Sequence, residues 1–154
     1  MGRKFLLNKQ NFNYVEQIEI NYILKTPISE NEADELLVIQ ELISNEISEP
    51  INLLTKEGLI IESNYQAEGL TYCLSKNANN ECIGYGYGYI ENENEFYIDT
   101  IGVHPEYRRR GIGTKIKIEL IINAFEKLNV DFIKAITQDD NTTTIGINER
   151  LGFI

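Results

Sequence analysis

The run from Ile101 to Thr114 reads Ile-Gly-Val-His-Pro-Glu-Tyr-Arg-Arg-Arg-Gly-Ile-Gly-Thr. An apolar, strand-like stretch ends at Val103 and the chain turns around Pro105. Three arginines, Arg108, Arg109 and Arg110, then lead into Gly111, Ile112, Gly113 and Thr114, where a helix is predicted to start. Those residue types in that order suit an anion. The first N–H groups of a helix have no acceptor within it, and the helix dipole puts partial positive charge at the same end. Glycines let a phosphate approach because no Cβ stands in the way. Taken alone, an arginine run is usually a solvated face and Gly-x-Gly a tight turn.

The pattern Arg108-x-x-Gly111-x-Gly113 resembles the pyrophosphate loop of the GNAT superfamily of N-acetyltransferases. A second stretch points the same way. Asn141 is followed by Asn148-Glu149-Arg150-Leu151-Gly152-Phe153, which is similar to the Asn…Tyr-Glu-Lys-Leu-Gly-Phe end of that domain. The Asn-Glu-x-Leu-Gly-Phe wording, with Thr100 to Val103 before the loop, loosely resembles the mycothiol-synthase-like subset. The resemblance covers Ile101 to Phe153, and the N-terminal half carries no matching motif.

The resemblance implies an α+β fold with a mixed, mostly antiparallel sheet and helices on both faces. It implies acetyl-CoA as co-substrate and a small amine as acceptor. The backbone from Arg109 to Thr114 would cradle the pyrophosphate, with charge from Arg108 and its neighbours. Ile101, Gly102 and Val103 would pair with the pantetheine arm and donate N–H groups to the developing oxyanion. Asn141 would bond the pantetheine, cap a helix, or do both. Asp99 is the favoured base, with Glu95 one step away on the same face. A structural aspartate is the competing reading. His104, the one histidine of the sequence, reads as an exposed loop residue. Asn148 stands where the family commonly has tyrosine. An amide cannot release a proton, so Asn148 is expected only to hydrogen-bond the leaving sulfur. The motifs contain no cysteine, so direct attack by the amine is expected. The alternative is an acyl-CoA-binding module without catalysis.

These residues need a frame. The 154 residues suffice for one domain, 1–154, with a sizeable core. Alternation between Tyr14 and Lys25 ends at Pro27. Ser29-x-x-Glu32 is a capping box, and Ala33, Leu36, Leu37, Ile39 and Ile43 follow at helical spacing. A short second helix is expected through Ile51, Leu53 and Leu54, with a stop at Gly58 and a polar loop over 63–69. Strands follow at 70–75, 82–90 and 95–103, separated by Asn-rich turns. In the middle one, Gly84, Gly86 and Gly88 alternate with Tyr85, Tyr87 and Tyr89, so one face is aromatic and the other low. Close packing of a helix on the low face is slightly preferred to a substrate surface. A helix from Gly111 to Leu128 carries Ile112, Ile116, Leu120 and Ala124, widened by Ile121 and Phe125. A strand over 130–137 and a short helix capped near Asn141 complete the order β, α, α, β, β, β, α, β, α.

The resemblance implies strands after Phe153, yet the sequence stops at Ile154. Either the chain is a truncated product, or a partner covers the exposed edge, as in a homodimer, or the N-terminal extension does. The net charge of −10 argues against nucleic acid. No stretch approaches the ~20 apolar residues of a membrane span. The start resembles no signal peptide, so a cytoplasmic location is the default. Cys73 and Cys82 have no metal spacing and read as buried side chains on adjacent strands.

Overall fold

The structure, a computed structural model, describes residues 2–12, 20–45 and 67–154. The expected helix at Ile51–Leu54, its stop at Gly58, the loop over 63–66 and the 14–19 part of the first expected strand lie outside them. The described elements are β1 (Gly2–Asn8), β2 (Asn21–Lys25), α1 (Glu30–Ser44), β3 (Thr71–Lys76), β4 (Cys82–Asn92), β5 (Glu95–Val103), a short 3-10 helix (Pro105–Tyr107), α2 (Ile112–Glu126), β6 (Phe132–Gln138) and α3 (Thr142–Leu151). The strands form one sheet in the order β1-β6-β5-β4-β3-β2. All neighbours are antiparallel except β5 and β6. This is the α+β architecture expected, with α2 making the crossover that a parallel pair requires.

Helices pack on both faces. On one, Leu36 and Ile39 of α1 meet Tyr72, Leu74, Tyr85 and Tyr87. On the other, Ile112, Ile116, Leu120 and Phe125 of α2 meet Phe96, Ile98 and Ile133, together with Leu151 and Phe153 from the chain end. The glycine–tyrosine alternation of β4 serves this division. A Cβ on Gly86 would stand 2.7 Å from Ile116 Cγ2, so the low face is low because α2 lies on it. Cys73 and Cys82 are buried on adjacent strands, on opposite faces.

Two features of β5 shape what lies beside it. Tyr87 pairs with Thr100 while Gly88 pairs with Ile98, so Asp99 is the extra residue of a β-bulge. The bulge resets the alternation. Phe96 and Ile98 before it, and Ile101 and Val103 after it, all join the α2 side. The pairing with β6 runs only from Glu95↔Phe132 to Ile98↔Ala135. Beyond Ile98 the two strands part.

The far edge of β6 is covered by β1, paired from Gly2↔Gln138 to Asn8↔Phe132. Of the two ways to cover that edge, the N-terminal one is observed. β1 was not foreseen as a strand, because Leu6 between Phe5 and Leu7 hides the alternation of their burial. The chain end is tied to the same strand: Leu6 and Ile154 exchange backbone bonds of 3.1 and 2.8 Å.

Candidate functional site

A cleft of about 1000 Å³ opens where β5 and β6 part. Asp99, Ile101, Gly102 and Val103 form one wall, and Ala135, Ile136 and Thr137 the other. Its mouth is made by Arg108, Arg109 and the start of α2, with Asn141, Thr143 and Thr144 of α3 opposite. Along Asp99 to Val103 the β6-facing edge of β5 has no ladder partner among the described residues. Its backbone groups are therefore available to an extended ligand.

The start of α2 carries no acidic side chain of its own. Gly111 is the N-cap with φ +77°, and Arg109 also has positive φ, +62°. A residue at φ +77° is best a glycine. No side chain caps this end and no acidic residue lies in its first turn. The dipole and the unsatisfied N–H groups thus face the cleft without a protein counter-charge.

Of the expected residues, Asp99, Ile101, Gly102, Val103, Arg108, Arg109, Gly111, Ile112, Gly113, Thr114 and Asn141 all border the cleft. Two do not. Arg110 turns outward, its guanidinium 5.3 Å from the centre of the Tyr107 ring. Asn148 is fully buried, and both ends of its amide are engaged within the protein. Its Nδ2 donates to Thr137 Oγ1 at 3.3 Å, and its Oδ1 accepts from Lys117 Nζ. The expected bond from Asn148 to a leaving group is thus replaced by bonds to two residues that do border the cleft.

Asp99 is exposed at the bulge. Its Oδ1 accepts from Thr100 Oγ1 at 3.0 Å and its Oδ2 from Tyr89 OH at 3.4 Å. Burial first, then the Asp99 charge, push the Tyr89 and Tyr97 hydroxyls above their ordinary range. Glu95 lies at the paired end of β5, 3.7 Å from Lys134, away from the splay. His104 caps the 3-10 helix, its Nδ1 accepting from the Glu106 N–H at 3.1 Å. Asn141 caps α3 by accepting from the Thr144 N–H at 3.2 Å while bordering the cleft.

The residues that sequence reasoning missed are Lys117 and Thr137. Lys117 stands in line with Ile121 and Phe125 at four-residue steps, which was the available signal that it faces inward. It is only 5% exposed. Burial pulls its pKa down to about 8. Among the described residues no cluster of His, Cys, Asp and Glu could hold a metal ion. None of the helices among the described residues is long and apolar enough to cross a membrane.

The model of the acetyltransferase (GNAT) family matches residues 39–153. No curated protein matches the chain in sequence. Several solved structures share the fold. An acetyltransferase of the GNAT family from Streptococcus pneumoniae superimposes with TM-score 0.70 at 17% identity, over 87% of this chain and 84% of that one. A ribosomal-protein-alanine N-acetyltransferase from Brucella melitensis gives 0.70 at 19%, over 86% and 84%. A phosphinothricin acetyltransferase from Sinorhizobium meliloti in complex with AcCoA gives 0.67 at 19%, over 86% and 75%.

Proposed function

Since the chain belongs to the acetyltransferase (GNAT) family, we propose that it moves the acetyl group of acetyl-CoA onto the amine of a small molecule by direct attack. The observation that carries this reading is the start of α2. It has no side-chain cap and no acidic side chain, and it opens on a cleft beside a strand edge unpaired among the described residues. A diphosphate attached to a long amide-bearing arm suits both parts. The phosphates meet the N–H groups from Arg109 to Thr114 and the charge of Arg108. The arm takes up the free hydrogen bonds of Ile101 to Val103 and those of Asn141. A relative of this fold was solved with AcCoA bound, which supports the same ligand here.

For the chemistry, the amine must arrive neutral or lose a proton in the cleft. Asp99 is the carboxylate at the splay, held by Thr100 and Tyr89, and serves as base directly or through water. Its charge also attracts a cationic amine. The N–H groups of the β5 edge are placed to stabilise an oxyanion. The Asn148-to-Phe153 ending resembles that of the mycothiol-synthase-like subset and leaves the acyl acceptor open.

Calorimetric titration with acetyl-CoA, followed by thiol release across amine classes, tests the reading. Saturable binding and release with at least one amine are expected. Binding without release for every amine class would favour the acyl-CoA-binding module. Asp99→Asn should lower turnover ~100-fold or more with little change in acetyl-CoA affinity. That loss should shrink as pH rises and free amine becomes available. Full activity across the pH range would move the base elsewhere.

A further inference from the structure

We propose that Lys117 is the proton donor to the sulfur of the leaving CoA, with Asn148 as the side chain that aims it. The inference rests on the cleft being the acetyl-CoA site, and its test separates the two.

Lys117 lies one helical turn beyond Gly113 on the same side of α2, and both border the cleft. A ligand whose phosphates sit at the helix start therefore extends past this side chain. The Lys117 environment is unusual for a lysine. It is 5% exposed and makes no ion pair among the described residues. Its Nζ donates to Asn148 Oδ1 and stands 5.1 Å from the centre of the Phe153 ring. Asn148 is fixed from its other end by Thr137. One residue from each of α2, α3 and β6 thus sets the direction of this amine. An amide oxygen only accepts and an ammonium only donates, so the order of the pair is unambiguous. The ammonium has three N–H groups and Asn148 takes one. Among the described residues Asn148 is the acceptor recorded for Nζ, and the other N–H groups can be met from the cleft that Lys117 borders. A sulfur gaining negative charge in that cleft is such an acceptor.

The surrounding charges leave Lys117 alone. On its own helix, Lys115 and Glu119 pair with each other at 2.9 Å, on the side facing Cys73 of β3. On β5, Asp99 is engaged by Thr100 and Tyr89. On β6, Lys134 is held by Glu91 at 2.5 Å. Glu149 and Arg150 of α3 are exposed, as are Arg108 and Arg109 at the mouth. Burial alone lowers the Lys117 pKa, to about 8. A free thiol has a pKa of ~8.5, so proton transfer between the two is nearly balanced.

The amine nitrogen bonds to the acetyl carbon, the carbon–sulfur bond breaks, and its electron pair stays on sulfur. Lys117 gives that sulfur a proton and becomes neutral, while the surplus proton of the amine leaves to Asp99 or water. Lys117 is reprotonated from solvent. The donor must be charged, so turnover is supported below its pKa and lost as pH rises through about 8.

The test reads the bound thiol itself. Protein saturated with CoA is titrated by ultraviolet thiolate absorbance against protein saturated with desulfo-CoA. The protein thiols stay silent in this range, because burial pushes both up, Cys82 to about 12. In the wild type the nearby ammonium should hold the bound thiol below its free value. Lys117→Gln keeps a donor for Asn148 Oδ1 but has no charge, and Lys117→Met has neither. Both should raise the bound-thiol pKa by about one unit or more. The alkaline fall in kcat should vanish in both. An unchanged thiol titration in Lys117→Gln, with CoA still bound, overturns the role of Lys117 and leaves the cleft assignment standing. Failure of the wild type to bind CoA overturns both. One added acetyl group on Lys117 after incubation with acetyl-CoA also overturns it, by making the residue a nucleophile.

Discussion

The starts of α1 and α2 expose the same kind of helix-end N–H donors and put them to opposite uses. At α1, Ser29 Oγ accepts from the Glu32 N–H at 3.1 Å and Glu32 Oε1 accepts from the Ser29 N–H at 2.8 Å. Glu32 also binds Lys25 and Lys76, each at 2.7 Å. Burial alone would raise its pKa, but the two lysines and the Ser29 N–H outweigh it and hold the carboxyl at about 2. At α2 a glycine caps, no side chain accepts, and the first turn has no acid. One helix start is satisfied within the protein and fixes the fold. The other leaves its donors and dipole for a ligand. The residues of a single turn make the difference.

Exchanging features between these two ends tests the contrast. The largest effect is expected at α1. Glu32→Gln removes the counter-charge of a buried lysine and should cost about 3 kcal/mol in urea unfolding at neutral pH. The folded pKa of Glu32 lies below its ordinary 4.5. Its stabilisation is therefore complete above that value and fades as pH falls toward about 2. The variant should lack that part of the acid dependence, and an unchanged acid profile would remove Glu32 as its source. At α2, Gly111→Val puts a branched side chain at φ +77° and in the path of an anion. Acetyl-CoA should bind about 100-fold more weakly by calorimetry, about 2.8 kcal/mol. Unaltered affinity would dissociate the loop from the ligand.

The sharper swap is Thr114→Glu, which gives α2 the carboxylate that α1 has. Affinity for acetyl-CoA should drop about tenfold, while stability rises by about 0.5 kcal/mol through the dipole. Gain of stability without loss of affinity would mean that the ligand does not use this helix end. The smallest effect is expected for Ser29→Ala, which should cost about 1 kcal/mol in thermal unfolding. Acetyl-CoA affinity should not change, since α1's start does not border the cleft.

Much of the site was legible because it is local. Arg108 to Thr114 is a continuous stretch whose glycines and arginines state their own conformation, and Asn141 caps within its own turn. The Ser29–Glu32 box closes over four residues. The three strands between Thr71 and Val103 are joined by short turns, so pairing of neighbours follows from the chain. The roles of Asn148 and Lys117 were not legible. They are 31 positions apart, and only their meeting turns the amide inward and makes the lysine part of the cleft wall.

The sequence by itself determined the described helices, the hairpin strands and the glycine-opened turn before α2, since backbone conformation, caps and periodicity act over a few residues. Tertiary structure decided which edge β1 covers, where β5 leaves β6, and which cation is buried beside the cleft. Each of these depends on contacts between segments far apart along the chain. Their energy comes from shared burial, which no single segment's pattern contains.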